Sequence, residues 1–299
     1  MNSCYACNCD VFYEVDGKVT DLPNMKIFKC SNCKLIFLES FDHIHDSFYS
    51  NGEMNIDNRE SIDSNCLDIK FWRDSTFEDD SRRFNFLKSQ SSISKKSILD
   101  FGSGAGGFLK LCSEEAQYVS GVEPNSKISS VYNQDKIRQY FSIEEIENFK
   151  KFDIITAFHV IEHLKDPINY LKKIKRVLSK NGKIYLEFPN GDDALISYYK
   201  NKDFCNFTFW SCHLMLFNEE NIALIANKAG LSVKNSWQVQ RYPISNHLYW
   251  LNNGKPGGHN VFNEFRSKEL EEAYYNVLSK NKICDTVIVE LEVFDENIR

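Results

Sequence analysis

Residues 96–125 read KSILDFGSGAGGFLKLCSEEAQYVSGVEPN, the pattern of a strand, a glycine turn, a helix and a second strand. Ile98 and Leu99 form the buried end of the first strand. Gly102, Gly104, Gly106 and Gly107 let the backbone approach a ligand closely where the helix begins. The second strand ends at Glu123, 21 residues after Gly102, where a carboxylate can accept both hydroxyls of a nucleoside ribose. Two cofactor classes use such a turn. The glycines satisfy G-x-G-x-x-G, which admits a dinucleotide and an NAD-dependent oxidoreductase. Asp100, directly before the turn, extends the pattern to D-x-G-x-G-x-G.

The alternation continues downstream. In FDIITAFHVIEHLKDP (152–167), Asp153 to Ala157 reads as a strand that delivers Phe158 and His159 to the carboxyl edge of the sheet, where open α/β folds bind ligands. Asp166-Pro167 opens a helix running to Leu178, with Ile168, Leu171, Ile174, Val177 and Leu178 apolar, and Gly182 marks the turn after it. KIYLEFPNGDD (183–193) is the next strand; it ends at Phe188-Pro189-Asn190 on the same edge and makes Asn190 a candidate acceptor-binding residue. Asn218 caps a helix that stops at Gly230, and Leu231 to Val239 is a further strand.

His159, Glu162 and His163 also spell H-x-x-E-H, a zinc-peptidase signature. At i, i+3 and i+4 they share one side of a helical turn. A peptidase carries the motif on a long helix. Here a strand runs straight into it and Pro167 starts a new helix, which argues against a hydrolase.

Together these segments resemble the class I S-adenosylmethionine-dependent methyltransferases. D-x-G-x-G-x-G resembles their motif I, Glu123-Pro124 their motif II, 152–167 their fourth strand and following loop, and CDTVIVELEV (284–293) their last, antiparallel strand. The resemblance spans roughly residues 69–295. It implies an α/β, Rossmann-like seven-stranded sheet with strand 7 antiparallel, in a domain over 97–299. It also implies S-adenosylmethionine held by Asp100, Gly102, Ser103, Gly104, Gly106, Glu123, Pro124 and His159. WSCHLMLFN (210–218) is similar to an H-L-x-x-F segment of related sugar and small-molecule methyltransferases, which places His213 at the acceptor or in the core. Three readings of the 159–163 run stay open. His163, with His159 and His213, is a catalytic candidate as general base toward an acceptor hydroxyl. Similarity to the E-x-x-E-H of ubiquinone-biosynthesis O-methyltransferases implies Mg2+ at Glu162 and His163, although His159 stands where the first glutamate would be. Finally, Glu162 and His163 can simply fasten the loop.

At the front of the chain, Cys4-x2-Cys7 and Cys30-x2-Cys33 are two C-x-x-C pairs that can each offer two thiolates to one tetrahedral zinc. Cys9 ranks below these four. The segment between the pairs has strand-like alternation and an Asp16-Gly17 turn, as expected of a hairpin in a zinc-ribbon module over 1–40 that depends on its ion. FKCSNCKLIFL (28–38) resembles the knuckle that precedes the methyltransferase domain in bacterial sugar-modifying enzymes. Four thiolates leave no open coordination position, so this zinc is structural.

Residues 41–96 read as a helical connector or lid, with Phe48, Tyr49, Phe71, Trp72, Phe84 and Phe86 scattered through it and helical periodicity from Ile69 to Leu87. Residues 240–283 are an insertion between the last two strands, and topology hangs it over the ligand edge. Asn246, His247, Lys255 and His259 are its candidate substrate-binding residues, with Tyr249, Trp250 and the Lys255-Pro-Gly-Gly-His259 loop beside them. A homodimer contact is the alternative use of its aromatics.

Composition sets the outer limits. The chain has 299 residues, 42% hydrophobic and 26% charged, enough for one large α/β domain with an accessory module. It lacks an apolar run near the roughly 18 residues of a membrane span, and MNSCYACNCD is not a signal peptide, so a cytoplasmic location is expected. Ten cysteines in a reducing compartment point to metal rather than disulfides. A net charge of −6 speaks against bulk nucleic-acid binding. A small molecule or nucleotide-linked sugar, precursor of a capsule or surface glycan, is the expected acceptor. A non-catalytic adaptor with the same fold is the remaining alternative.

Overall fold

The computed structural model describes residues 3–45, 48, 69–265 and 267–294. Tyr49, with residues 46, 47 and 50–68 of the expected connector, lies outside the described residues.

Eleven strands are formed among the described residues: β1 (Phe12–Glu14), β2 (Ile27–Cys30), β3 (Ile36–Leu38), β4 (Ser97–Phe101), β5 (Tyr118–Val122), β6 (Arg138–Tyr140), β7 (Phe152–Phe158), β8 (Leu178–Pro189), β9 (Met215–Leu216), β10 (Leu231–Val239) and β11 (Thr286–Val293). Seven make one sheet in the order β10-β11-β8-β7-β4-β5-β6. Pairings β4–β5, β4–β7 and β5–β6 are parallel, and one strand of the sheet is antiparallel. The order reverses at β4, with β5 on one side and β7 on the other. That is the switch point at which open α/β sheets leave a crevice beyond their strand ends. The central strands are near-continuous apolar runs, as strands covered on both faces must be: Ile98, Leu99, Ile154, Ile155, Ile184 and Leu186 are at most 2% exposed.

The chain divides into two compact units, Met1–His43 with Ile161–Pro167 and Glu187–Glu290, and Ile44–Val160 with Ile168–Leu186 and Leu291–Arg299. In the second unit, the helix Ile69–Gln90 extends three residues beyond the periodicity read from sequence. Trp72, Arg73, Thr76, Asp80, Arg83 and Leu87 recur on it at helical spacing. The helix after β7 covers Pro167–Val177. Gly182 lies inside β8 rather than in a turn, and a side chain there would run into Leu178.

In the first unit the front segment does not stop at a hairpin. β1, β2 and β3 form an antiparallel meander, and β9 pairs with β3 to complete a four-stranded sheet. Met215 and Leu216 therefore belong to the sheet of the cysteine module, although about 180 residues of chain separate them from β3. This follows from size, because a three-stranded ribbon alone buries too little apolar surface to hold. The 240–283 insertion is helical: Ile244–Asn253, Gly258–Val261 and Lys268–Lys280. Asn218 caps the helix Glu219–Lys228 in a reciprocal capping box with Asn221. Among the described residues no helix is long and apolar enough to cross a membrane.

Two carboxylates of this unit, Asp193 (buried) and Asp285 (half-buried), have raised pKa values. Asp285 accepts from the Arg241 and Tyr242 amides and from Gln240 Nε2. Asp193 caps the Leu195 amide at 2.6 Å. Burial, and then the Asp285 charge, push Asp193 up to about 8; burial raises Asp285 as well. Both folded values lie above the unfolded ones, so the native state binds more protons. Stability is therefore full below about pH 4 and falls as pH rises toward about 8. Asp193→Asn keeps the cap and removes one titration. Urea midpoints should then decline less with pH in the variant, which should exceed wild type by roughly 1–3 kcal/mol at pH 8.5. Parallel curves would show that Asp193 titrates normally.

Candidate functional site

The glycine turn is built where β4 ends. Gly102, Gly104 and Gly106 all have positive φ, +73°, +50° and +72°. At Gly102 a side chain would strike Val160, and at Gly104 a Cβ would sit 3.1 Å from Trp72 Cζ2. Those two positions thus need glycine for conformation and for space. Asp100 is buried under the turn and accepts from Thr156 Oγ1 at 2.6 Å, and burial pushes it up to about 7. Glu123 closes the turn from the end of β5. Its Oε2 accepts from the Gly104 amide and its Oε1 from the Asn125 amide, each at 3.0 Å. Burial raises its pKa against the pull of those two amides. One acceptor position on each oxygen remains, the number a ribose diol requires.

Several residues that frame the turn escaped the sequence reading. Tyr132 donates to the Gly104 carbonyl at 2.8 Å and bonds Ser103 Oγ at 2.7 Å, so the Ser103 hydroxyl braces the turn. Arg73 Nε donates to the Ala105 carbonyl at 2.8 Å and pairs with Asp135. Asn125 Nδ2 is buried without a hydrogen-bond partner among the described residues, a donor well suited to a polar ligand atom. Trp72 was seen only as part of a helical stripe, and nothing in sequence marks Tyr132. Asp100, Gly102, Ser103, Gly104, Gly106 and Glu123 are brought together around the turn. Pro124 is half-buried beside Glu123. His159, half-buried after β7, has a left-handed backbone with φ +54°, a conformation His tolerates better than most residues.

In the other unit, the short turn Ile161–His163 is stitched to residues 212–214. The Leu214 amide donates to the Glu162 carbonyl at 2.8 Å, and His163 Nδ1 bonds the Cys212 carbonyl at 2.8 Å. The His163 and His213 rings lie 4.9 Å apart between centroids. Glu162 is fully buried, with Oε1 3.9 Å from His163 Nε2.

Three substrate candidates, Asn190, Asn246 and His247, are buried in hydrogen bonds within the unit. Asn190 is buried and donates through Nδ2 to the carbonyls of Lys282 and Cys284, so it ties β8 to the chain before β11. His247 is buried, bonds Tyr274 OH at 2.8 Å, and is pushed down to about 4 by that burial. Asn246 is buried, and its Oδ1 accepts from the Gly257 amide. The glycine loop serves packing at Gly258, where a side chain would strike the Ser245 carbonyl. Trp250 is buried against Phe204 and Phe207, so it offers no dimer surface. Lys255 remains exposed over Tyr249, and His259 half-buried beside Tyr242.

The methyltransferase-domain family matches residues 73–235, more than half of the chain. The chain belongs to that family. Among curated relatives, a ubiquinone biosynthesis O-methyltransferase of Haemophilus ducreyi is 24% identical over 122 residues, 36% of this chain and 52% of the relative. A tRNA U34 carboxymethyltransferase of Campylobacter jejuni subsp. doylei is 30% identical over 115 residues, 35% of this chain and 40% of the relative. The chain spans about half the length of the curated relatives it matches. A solved chain from the complex of the Haloferax volcanii Trm112 methyltransferase activator and a putative methyltransferase is similar with a TM-score of 0.50. Its identity is 13%, over 79% of this chain and 100% of that one, a likeness of fold.

In the cysteine module of the chain, Cys4, Cys7, Cys30 and Cys33 hold their sulfurs within 4.8 Å of one another, with Cys4–Cys33 at 3.6 Å and Cys7–Cys30 at 3.5 Å. A thiolate tetrahedron about 2.3 Å from zinc has edges of about 3.8 Å. The cluster fits that ion. Cys9 stands aside, bonded to Ser31 Oγ. Hydrogen bonding to Cys33 holds the Cys4 thiol down to about 5, while burial pushes Cys30 up to about 11. A divalent cation among the four sulfurs would favour their thiolate forms.

Proposed function

We propose that the chain transfers the methyl group of S-adenosylmethionine to an oxygen of a phosphate-bearing small molecule, a nucleotide-linked sugar or surface-glycan precursor foremost. Glu123 carries the cofactor half of this reading: a half-buried carboxylate, bonded to the amides of Gly104 and Asn125, with one acceptor position left on each oxygen. Family membership favours methyl over hydride transfer from such a turn. The hydroxyl acceptor is supported by the O-methyltransferase relative, and the sugar by the resemblance of the cysteine knuckle to those of sugar-modifying enzymes.

The bound sulfonium supplies the driving force. The acceptor oxygen attacks the methyl carbon, the carbon–sulfur bond breaks toward sulfur, and the oxygen gives up its proton. The protein's part is alignment, with help for the proton worth roughly 10²- to 10⁴-fold on an alcohol. We assign that help to the His163–His213 cluster, which would draw charge or the proton from the acceptor oxygen, with His159 near the cofactor, and acceptor contacts to Lys255 and His259. Zinc on the four front cysteines holds the module in shape and takes no part in the chemistry.

Calorimetric titration of the full chain with S-adenosylmethionine and with NADH tests the cofactor. Binding of the sulfonium alone is expected; binding of NADH alone overturns the reading. Transfer of labelled methyl to nucleotide sugars, compared with quinols and tRNA, tests the acceptor. Label on tRNA alone would remove the sugar from the proposal.

A further inference from the structure

A second cluster of metal-binding atoms lies apart from the four front cysteines. His163, Cys212 and His213 each offer a ligand atom, and these atoms lie within 4.8 Å of one another. We propose that they form a second metal site, for one borderline-soft divalent ion such as zinc, coordinated by two imidazoles and one thiolate.

The backbone builds the cluster. Leu214 N to Glu162 O and His163 Nδ1 to Cys212 O, both 2.8 Å, hold the turn 161–163 against the segment 212–214. Because Nδ1 of His163 faces a carbonyl, Nδ1 carries the proton and Nε2 keeps its lone pair. A metal-ligating histidine is usually fixed in this way, donating its other nitrogen to a carbonyl or carboxylate. The ring geometry agrees. Two imidazoles bound through nitrogen at about 2.0–2.1 Å, at a tetrahedral angle, have ring centres about 5 Å apart. His163 and His213 are 4.9 Å apart and tilted by 56°, rather than stacked.

The donor set selects the ion. Thiolate and imidazole suit zinc and its first-row neighbours, whereas magnesium takes oxygen ligands. This differs from the Mg2+ expected at Glu162 and His163, since the partners His163 finds are Cys212 and His213 of a distant segment. Glu162 Oε1 is 3.9 Å from His163 Nε2, close enough to act as fourth ligand or to accept from a bound water. Cys212 and His163 are buried while His213 is half-buried. Three protein ligands with one approachable side is the pattern of an open site, unlike the closed four-thiolate cluster. The role of such an ion in methyl transfer, drawing charge from an acceptor oxygen, rests on the function proposed above; its presence does not.

The test is a metal count on the full chain, exchanged into Co2+ and desalted, with the cobalt absorption spectrum recorded alongside. Wild type should hold about two ions per chain, one in a four-thiolate spectrum and one in a spectrum with a single thiolate. Cys212→Ala and His213→Gln should each lose the second ion and keep the four-thiolate spectrum. His213 is half-buried, so His213→Gln is expected to fold even if Cys212→Ala does not. One ion per chain in wild type, or a second ion that survives both substitutions, overturns the site. Methyl transfer is assayed separately, so two ions without turnover would count against the proposed function and leave the metal site standing.

Discussion

Glu123→Ala should weaken S-adenosylmethionine binding by about 10²- to 10⁴-fold, read as the calorimetric Kd of the full chain. The carboxylate is proposed to accept two ribose hydroxyls, and hydrogen bonds to a charged group contribute roughly 1.5–3 kcal/mol each. Two such bonds set the size of the effect. Glu123 also holds the amides of Gly104 and Asn125 at 3.0 Å, so its removal frees the turn. Glu123→Gln separates the two roles. It keeps the shape and one acceptor oxygen, but sets an amide N–H₂ where an oxygen faced a backbone N–H. It should fall between wild type and alanine. The pH dependence has a definite sign. Burial raises the carboxylate's pKa, and only the ionised form accepts two donors. Affinity should therefore be full in alkaline solution and fall as pH drops through that raised value. Alanine binding within about threefold of wild type, with an unchanged melting temperature, would mean that Glu123 does not grip the ribose.

The cofactor turn was legible because its residues are consecutive and its constraints are local. A strand end, glycines at positive φ and an acid at the end of the next strand are each written within thirty letters of sequence. The same holds for the four cysteines, whose spacing alone states their chemistry. What stayed hidden depends on distant chain. Nothing near Cys212 announces that its carbonyl will meet His163, 49 residues earlier. Nothing in Met215-Leu216 announces a fourth strand for a sheet begun at Phe12. Asn190, Asn246 and His247 were misplaced for a related reason. A polar residue at a ligand edge looks functional until its hydrogen-bond partners are known, and here those partners are backbone and Tyr274 within the same unit. Trp250 went the same way, because sequence does not say which aromatic residues of a helix meet others.

Cys33→Ala should cost the protein its acceptor chemistry while sparing its cofactor. Apparent zinc-binding free energies in small thiolate modules reach about 10–16 kcal/mol, as large as the whole stability of a typical domain. Removing one ligand should therefore unravel the front sheet. The damage would not stop at residue 40. β3 pairs with β9, Ile36 opposite Leu216 and Phe37 opposite Met215, and the Leu38 amide donates to the Leu214 carbonyl at 3.1 Å. Leu214 follows His213 directly and bonds the Glu162 carbonyl, so the loop carrying His213 and the turn carrying His163 are held through this sheet. The Cys33 carbonyl itself accepts from Asn221 Nδ2, and Asn221 completes the capping box of the helix Glu219–Lys228. The glycine turn, Glu123 and Tyr132 belong to the other unit. The expected result is loss of one zinc per chain, a melting temperature lower by about 10 °C or more, and kcat reduced at least tenfold. The Kd for S-adenosylmethionine should stay within about threefold of wild type. Cys9→Ala, on a thiol outside the cluster, is the control and should change none of these. Equal loss of cofactor affinity and turnover in Cys33→Ala would mean general unfolding, and unchanged turnover would mean that the ion does not shape the acceptor loop.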